Sequence, residues 1–320
     1  MSHLIRRRQA GVAVVTALLL TTLAITIVAS LFWQQQVQVR SIENQRFQLQ
    51  KKWVLRGALD WAGLILREDK RIGKVDHLGE PWAVNLGDTR LDQYVENGRT
   101  EVEDSEATLS GQISDAQAKF NLTNLAANGK VDLRELAAFS KLLSNLRLDP
   151  ALAQQVAVQI AMTQERLKEG PDDPGSPPVS PNLTVQFLKF SQIEDLLAVP
   201  GFNVTTIARL RNFVTVLPRY TKINVNTTTA EVLSARLENV SLSEAALMIA
   251  TRDRAYFLDF SRFKLNFPDK IKETDTELLD FQTNFFMVNG RVKLNRSLLE
   301  VDALFERNDI GTQILWIKEN

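Results

Sequence analysis

RRRQAGVAVVTALLLTTLAITIVASLFW, Arg6 to Trp33, carries charge only in its first three positions. From Val12 to Trp33 the polar residues are threonine and serine alone, and no charge returns until Arg40. A helix rises 1.5 Å per residue, so these residues reach about 33 Å, the thickness of a bilayer's hydrocarbon core. Threonine and serine are tolerated there because their hydroxyls bond back to helix carbonyls. Arg6, Arg7 and Arg8 stand directly before the span, and basic residues beside a first span stay in the cytoplasm, so everything after Trp33 is expected across the membrane. A cleaved secretory signal has a shorter apolar region, about 7–15 residues, whereas this one runs on into WQQQVQVRSIENQRFQLQ. An uncleaved signal anchor is the plain alternative.

No Gly or Pro interrupts Val12 to Arg56, so the helix is expected to leave the membrane as a rod over 12–66. Val39, Ile42, Leu49 and Trp53 form an apolar stripe interrupted by Arg46, with Arg40, Glu43 and Lys51 facing elsewhere. Such a stripe covers the protein's own sheet, or in part meets neighbouring helices.

The rest of the 320 residues narrows the chemistry. Basic and acidic side chains number 38 each, which gives no global pull toward nucleic acid. With no cysteine, disulfides, thiolate nucleophiles and Cys metal sites are excluded. The two histidines, His3 and His77, leave little room for a His-based triad. Alternating runs near 75–115 and 284–319 read as strands, with turns at Gly111 and, on the strength of Asn289-Gly290, inside NFFMVNGRVKL. Between them, Ser114/Gln117, Ser191/Glu194, Thr228/Glu231 and Ser241/Glu244 match capping boxes and mark four helix starts. The proline-rich stretch EGPDDPGSPPVSP, 169–181, reads as a loop splitting that helical region.

The short basic leader ending in Gly11, followed at once by the apolar stretch, resembles a type IV prepilin-like N-terminus. That resemblance implies cleavage between Gly11 and Val12 by prepilin peptidase, with methylation of the new amine. Glycine suits the cut because a residue without Cβ lets a protease approach the backbone. Family members mostly carry Glu as the fifth mature residue, where it pairs with a neighbour's terminal ammonium; here Thr16 stands in its place. One group is known for that absence, the K-type minor pseudopilins of the type II secretion system. KFNLTNL (119–125), VPGFNVTTIARLRNFVTVLP (199–218), KINVNTTTAEVL (222–233), IATRDRAYF and FFMVNG resemble that group in order and spacing.

The resemblance implies an α+β fold: a long N-terminal transmembrane helix packed on a small antiparallel sheet, the pseudopilin fold, with a large all-α insertion containing helix-hairpin-helix (SAM-like) units. The segments are then a basic leader 1–11, the assembly helix 12–66, a first part of the α/β domain 67–115, the inserted helical domain 116–280 in two halves split by the loop, and C-terminal strands 281–320. It implies a single-pass inner-membrane subunit, N-terminus cytoplasmic and body periplasmic, at the pseudopilus tip. Its partners are the I-type and J-type minor pseudopilins, the major pseudopilin filament and prepilin peptidase, with no nucleic acid and no enzymatic activity. Relatives carry an acidic loop suited to calcium; here Asp172 and Asp173, with no downstream Glu, supply too few oxygens, so neither metal nor cofactor is expected.

Some motifs point elsewhere. Leu196 to Leu210 resembles a helix-hairpin-helix, with Asn203 where a second glycine would cradle phosphate, and the alternative function is a membrane-anchored DNA-binding protein of an uptake system using Pro200–Asn203. Ser261 and Lys264 fit Ser-x-x-Lys without companion motifs, and are read as chance. His77 beside Asp76 and Glu80 reads as a surface loop histidine. Tyr256, Phe257, Phe260, Phe263 and Phe267 read as core.

Overall fold

The computed structural model describes residues 10–90, 107–164, 188–294 and 297–320. Its first element is a 63-residue helix, α1 (Ala10–Ile72), about 95 Å long at 1.5 Å per residue. The helix outlasts the expected end at Leu66, because Arg67–Ile72 holds no breaker and Glu68 pairs with Arg71 at 2.8 Å. Gly73 closes the last turn, donating its N–H to the Asp69 carbonyl at 2.8 Å.

After α1 come β1 (Leu86–Arg90) and β2 (Ala107–Asp115). The helical region follows: α2 (Leu133–Asn145), α3 (Leu152–Thr163), α4 (Val204–Leu210), α5 (Ala230–Arg236), α6 (Leu242–Arg252) and α7 (Phe260–Asn266). Then β3 (Phe285–Leu294), β4 (Ser297–Arg307) and β5 (Thr312–Glu319) finish the chain. The five strands form one antiparallel sheet in the order β1-β2-β3-β4-β5, so the helical region is inserted between two adjacent strands.

Leu55, Leu59, Ala62 and Leu66 of α1 lie at helical spacing and pack on Phe286, Val288, Val301, Ala303 and Phe305 of the sheet. The expected turns at Gly111 and Asn289-Gly290 are absent, and both positions sit mid-strand as a directly opposed pair. The glycines serve close approach instead. A Cβ on Gly290 would lie 3.0 Å from Leu55 Cδ1, and one on Gly111 only 2.7 Å from the Asn289 carbonyl oxygen.

The insertion is not wholly α. Three two-residue ladders stitch it, Phe120–Asn121 with Val214–Thr215, Ala126–Ala127 with Lys130–Val131, and Ile223–Asn224 with Leu279–Asp280. Leu152 and Val156, before the 169–181 loop, share one core with Leu196, Leu210, Leu233 and Phe263, after it. Of the four expected capping boxes only Ser241/Glu244 forms, with Glu244 Oε2 accepting from the Ser241 N–H at 2.8 Å. Ser114 is still in β2, and Asp115 caps the 3₁₀ turn that follows. Asp195 takes the place expected of Glu194, and Thr228 donates its hydroxyl to the Ala118 carbonyl at 2.6 Å, one residue ahead of the α5 cap. At Ser114 and Thr228 the pattern misses because tertiary partners, the Met287 and Ala118 carbonyls, claim the hydroxyls. Phe257 and Phe263 are buried and meet edge to face, whereas Tyr256 is half exposed.

Candidate assembly surface and buried junction

Gly11 and Val12 lie in the opening turns of α1. Thr16 follows one turn later, and its hydroxyl donates to the Val12 and Ala13 carbonyls, both at 3.0 Å. Thr21, Thr22 and Thr26 close onto their own helix in the same way. A hydroxyl whose proton is satisfied internally can enter a membrane or a helix bundle, but it carries no charge to neutralise a neighbour's ammonium.

The stripe Val39, Ile42, Leu49 and Trp53 does not cover the protein's own sheet. All four side chains are exposed, Trp53 by 75%. At about 100° per residue, Ile42, Leu49 and Trp53 project about 120° around the helix from Leu55, Leu59 and Leu66, so α1 carries two apolar faces and the sheet uses only one. Lys51, expected to face elsewhere, is on the sheet side, 1% exposed, and donates to the Ser297 hydroxyl.

Where the chain passes from sheet to insertion and back, a buried polar network joins the two. Arg307, at the end of β4 and 1% exposed, reaches Asp69 of α1 at 2.6 Å, pairs with Asp76, and donates to the Thr283 carbonyl at 2.8 Å. Its guanidinium lies 4.6 Å over the Phe286 ring. Asp76 accepts from the Thr283 N–H at 2.6 Å with its other oxygen. Asp115, at the end of β2, accepts from Thr227 and Thr283 hydroxyls at 2.6 Å each and from Asn224 Nδ2 at 3.0 Å. Burial pushes the Asp115 carboxyl up to about 6. Asp69 rises to about 6 as well, through burial and the nearby Glu80 charge, against the opposing pull of Arg307. Burial likewise raises Glu80 and lowers His77.

The sequence reading did not single out Arg307, Asp69 or Asp115. The available signal was the polar run KINVNTTT, too hydrophilic for a core strand yet buried at Asn224, Asn226, Thr227 and Thr228. KFNLTNL has the same role: Asn121 and Asn124 bond to the chain at 217–221, as in Asn124 Nδ2 to the Thr221 carbonyl at 2.8 Å.

His77 is not a free loop histidine, since its ring stacks on Tyr256 at 3.9 Å. Asp76 turns away from it toward Arg307. Asp69, Asp76 and Glu80 do gather within 4.8 Å, and the cation among them is Arg307. Asp172 and Asp173 lie outside the described residues. The Pro200–Asn203 hairpin joins a 3₁₀ segment, Ile193–Ala198, to α4. Phe202 is buried, Gly201 has φ +89° against the Leu152 side chain, and Asn203 caps α4 by accepting from the Thr206 N–H at 2.9 Å.

One helix long and apolar enough to cross a membrane, none of its most apolar stretch buried in the protein, passes without a break into a rod roofed by a small antiparallel sheet. That build is the architecture expected of the pseudopilin class. Residues 118–219 and 223–281 match two models, both described as type II secretion system (T2SS), protein K. The chain is 27% identical to type II secretion system protein K of Pseudomonas aeruginosa, over 90% of this chain and 86% of that protein. It is 27% identical to the protein of that name from Pectobacterium carotovorum subsp. carotovorum, over 97% and 96%. Among solved structures it resembles a chain in the crystal structure of the GspK-GspI-GspJ complex from the enterotoxigenic Escherichia coli type 2 secretion system, with a TM-score of 0.64, 20% identity, and 88% of this chain and 99% of that one covered. The chain belongs to the type II secretion system protein K family.

Proposed function

We propose that this subunit sits at the tip of the secretion pseudopilus, where it initiates or caps a periplasmic filament that drives folded proteins through the outer membrane. The observation that carries the reading is Thr16, an uncharged side chain whose hydroxyl donates to its own helix at the position where filament subunits carry a carboxylate. A subunit without that charge cannot neutralise the terminal ammonium of another, so it fits where none has to be neutralised. The arginines ahead of α1 hold the N-terminus in the cytoplasm and the head in the periplasm, anchored by one inner-membrane span. Prepilin peptidase releases the leader between Gly11 and Val12. The I-type and J-type minor pseudopilins are the partners, by analogy with the complex that contains the structural neighbour. The role is structural and calls for no resident metal or cofactor.

Labelled antibodies against the head should decorate filament ends in wild type, and Thr16→Glu should allow decoration along the shaft. Uniform shaft decoration by the wild-type chain would overturn the tip assignment. The DNA-uptake alternative is disfavoured by the hairpin, whose Phe202 is buried and whose Asn203, standing where a second glycine would cradle phosphate, caps α4 with its side chain. Salt-sensitive retention of duplex DNA by the purified chain would revive it.

A further inference from the structure

The outer stripe of α1 contains one charge. Arg46 falls between Ile42, Leu49 and Trp53, all exposed, on the side of the helix away from the sheet. Among the described residues Arg46 has neither hydrogen bond nor ion pair. The basic residues along the next flank are already occupied, Lys52 by Glu319 at 3.0 Å and Arg56 by Asp60 at 3.5 Å. Lys52 and Arg56 are thus neutralised within the subunit and Arg46 is not.

We propose that Arg46 sets the register of assembly by pairing with a carboxylate on the helix of a different pseudopilin subunit, one whose own apolar stripe is interrupted by a single Asp or Glu. The proposal rests on the assembly reading above and names the chemistry of the partner. Burying Ile42, Leu49 and Trp53 against another helix removes the guanidinium from water, and such a charge is tolerated only with an opposite one beside it. One polar position in an apolar seam specifies register and partner, and the planar guanidinium fork suits a carboxylate. An in-register second copy would bring Arg46 against Arg46, which selects a different subunit. Arg46 lies 13 residues beyond Trp33, about 20 Å along the helix at 1.5 Å per residue, too far for a lipid headgroup at the Trp33 interface.

The test uses the full chain co-expressed with the I-type and J-type subunits and extracted in mild detergent. Wild type should co-purify with them, Arg46→Lys should retain part of that yield, and Arg46→Leu and Arg46→Glu should lose at least tenfold with the thermal transition of the head unchanged. In the Arg46→Glu background, changing one acidic residue of a partner helix to Arg should restore the complex. Wild-type yield from both Arg46→Leu and Arg46→Glu would overturn the pairing while leaving the assembly reading intact. Loss that no acid-to-Arg change restores would also overturn it, as would restoration by anionic lipid. Failure of the wild-type chain to co-purify would instead sink the assembly reading itself.

Discussion

Arg307 places one positive charge among Asp69, Asp76 and Glu80, with Asp115 linked to them through Thr283 and Asn224. Removing that cation leaves buried carboxylates without a partner, a change that costs about 3–5 kcal/mol. Arg307→Met should therefore lower the thermal transition of the detergent-solubilised chain by many degrees, and a shift of a degree or two would show that the network is not a fastening. The excess of acid also sets a pH dependence. Asp69 and Asp115 bind their protons more tightly folded, at about 6, than unfolded, near 3.8. Stability from them is complete below the unfolded value and is lost as pH rises through about 6. Glu80, raised by burial, acts in the same direction, and His77, lowered by burial, opposes it. The transition temperature should fall as pH rises from about 4 to about 6.5, and Asp115→Asn should flatten that fall.

Helix α1 carries two apolar faces with different consequences. Leu59 is buried against the sheet, so Leu59→Ala removes core packing worth about 2–5 kcal/mol. Trp53 touches water, and Trp53→Ala should leave unfolding within about 0.5 kcal/mol of wild type while reducing co-purification of partner subunits. Equal destabilisation by the two changes in a thermal melt would refute this division of labour. The boundary of the rod was legible in part. Freedom from Gly and Pro up to Arg56 announced a long helix, yet it runs on through Gly57 and Gly63 and ends at Ile72, later than the thickening of turn residues implied, with Gly73 closing its last turn. Gly111 and Gly290 were misread for a physical reason: glycine marks both turns and close approaches, and only the packing of Leu55 over β3 distinguishes them.

At the scale of the whole molecule, the chain is a membrane rod whose head is fastened to the sheet at the points where the insertion leaves and returns. Changing Gly11 to a bulky residue should leave the leader attached, and N-terminal sequencing of the wild-type mature protein should begin at Val12. A different first residue would refute the processing claim. Several features needed no coordinates: the membrane span, the interrupted apolar stripe, Thr16 without a carboxylate, and a helical region set between strands. Each is a local property of periodicity, charge or residue type, readable from neighbours in the chain. The tertiary structure alone decided which helix face meets the sheet, that two apparent turn glycines oppose each other mid-strand, and that Arg307 gathers acids from α1 and the loop that follows it. Asp69 and Arg307 are 238 positions apart, and no local pattern records such a pairing, because burial and the low dielectric that make it matter arise only once the core has closed.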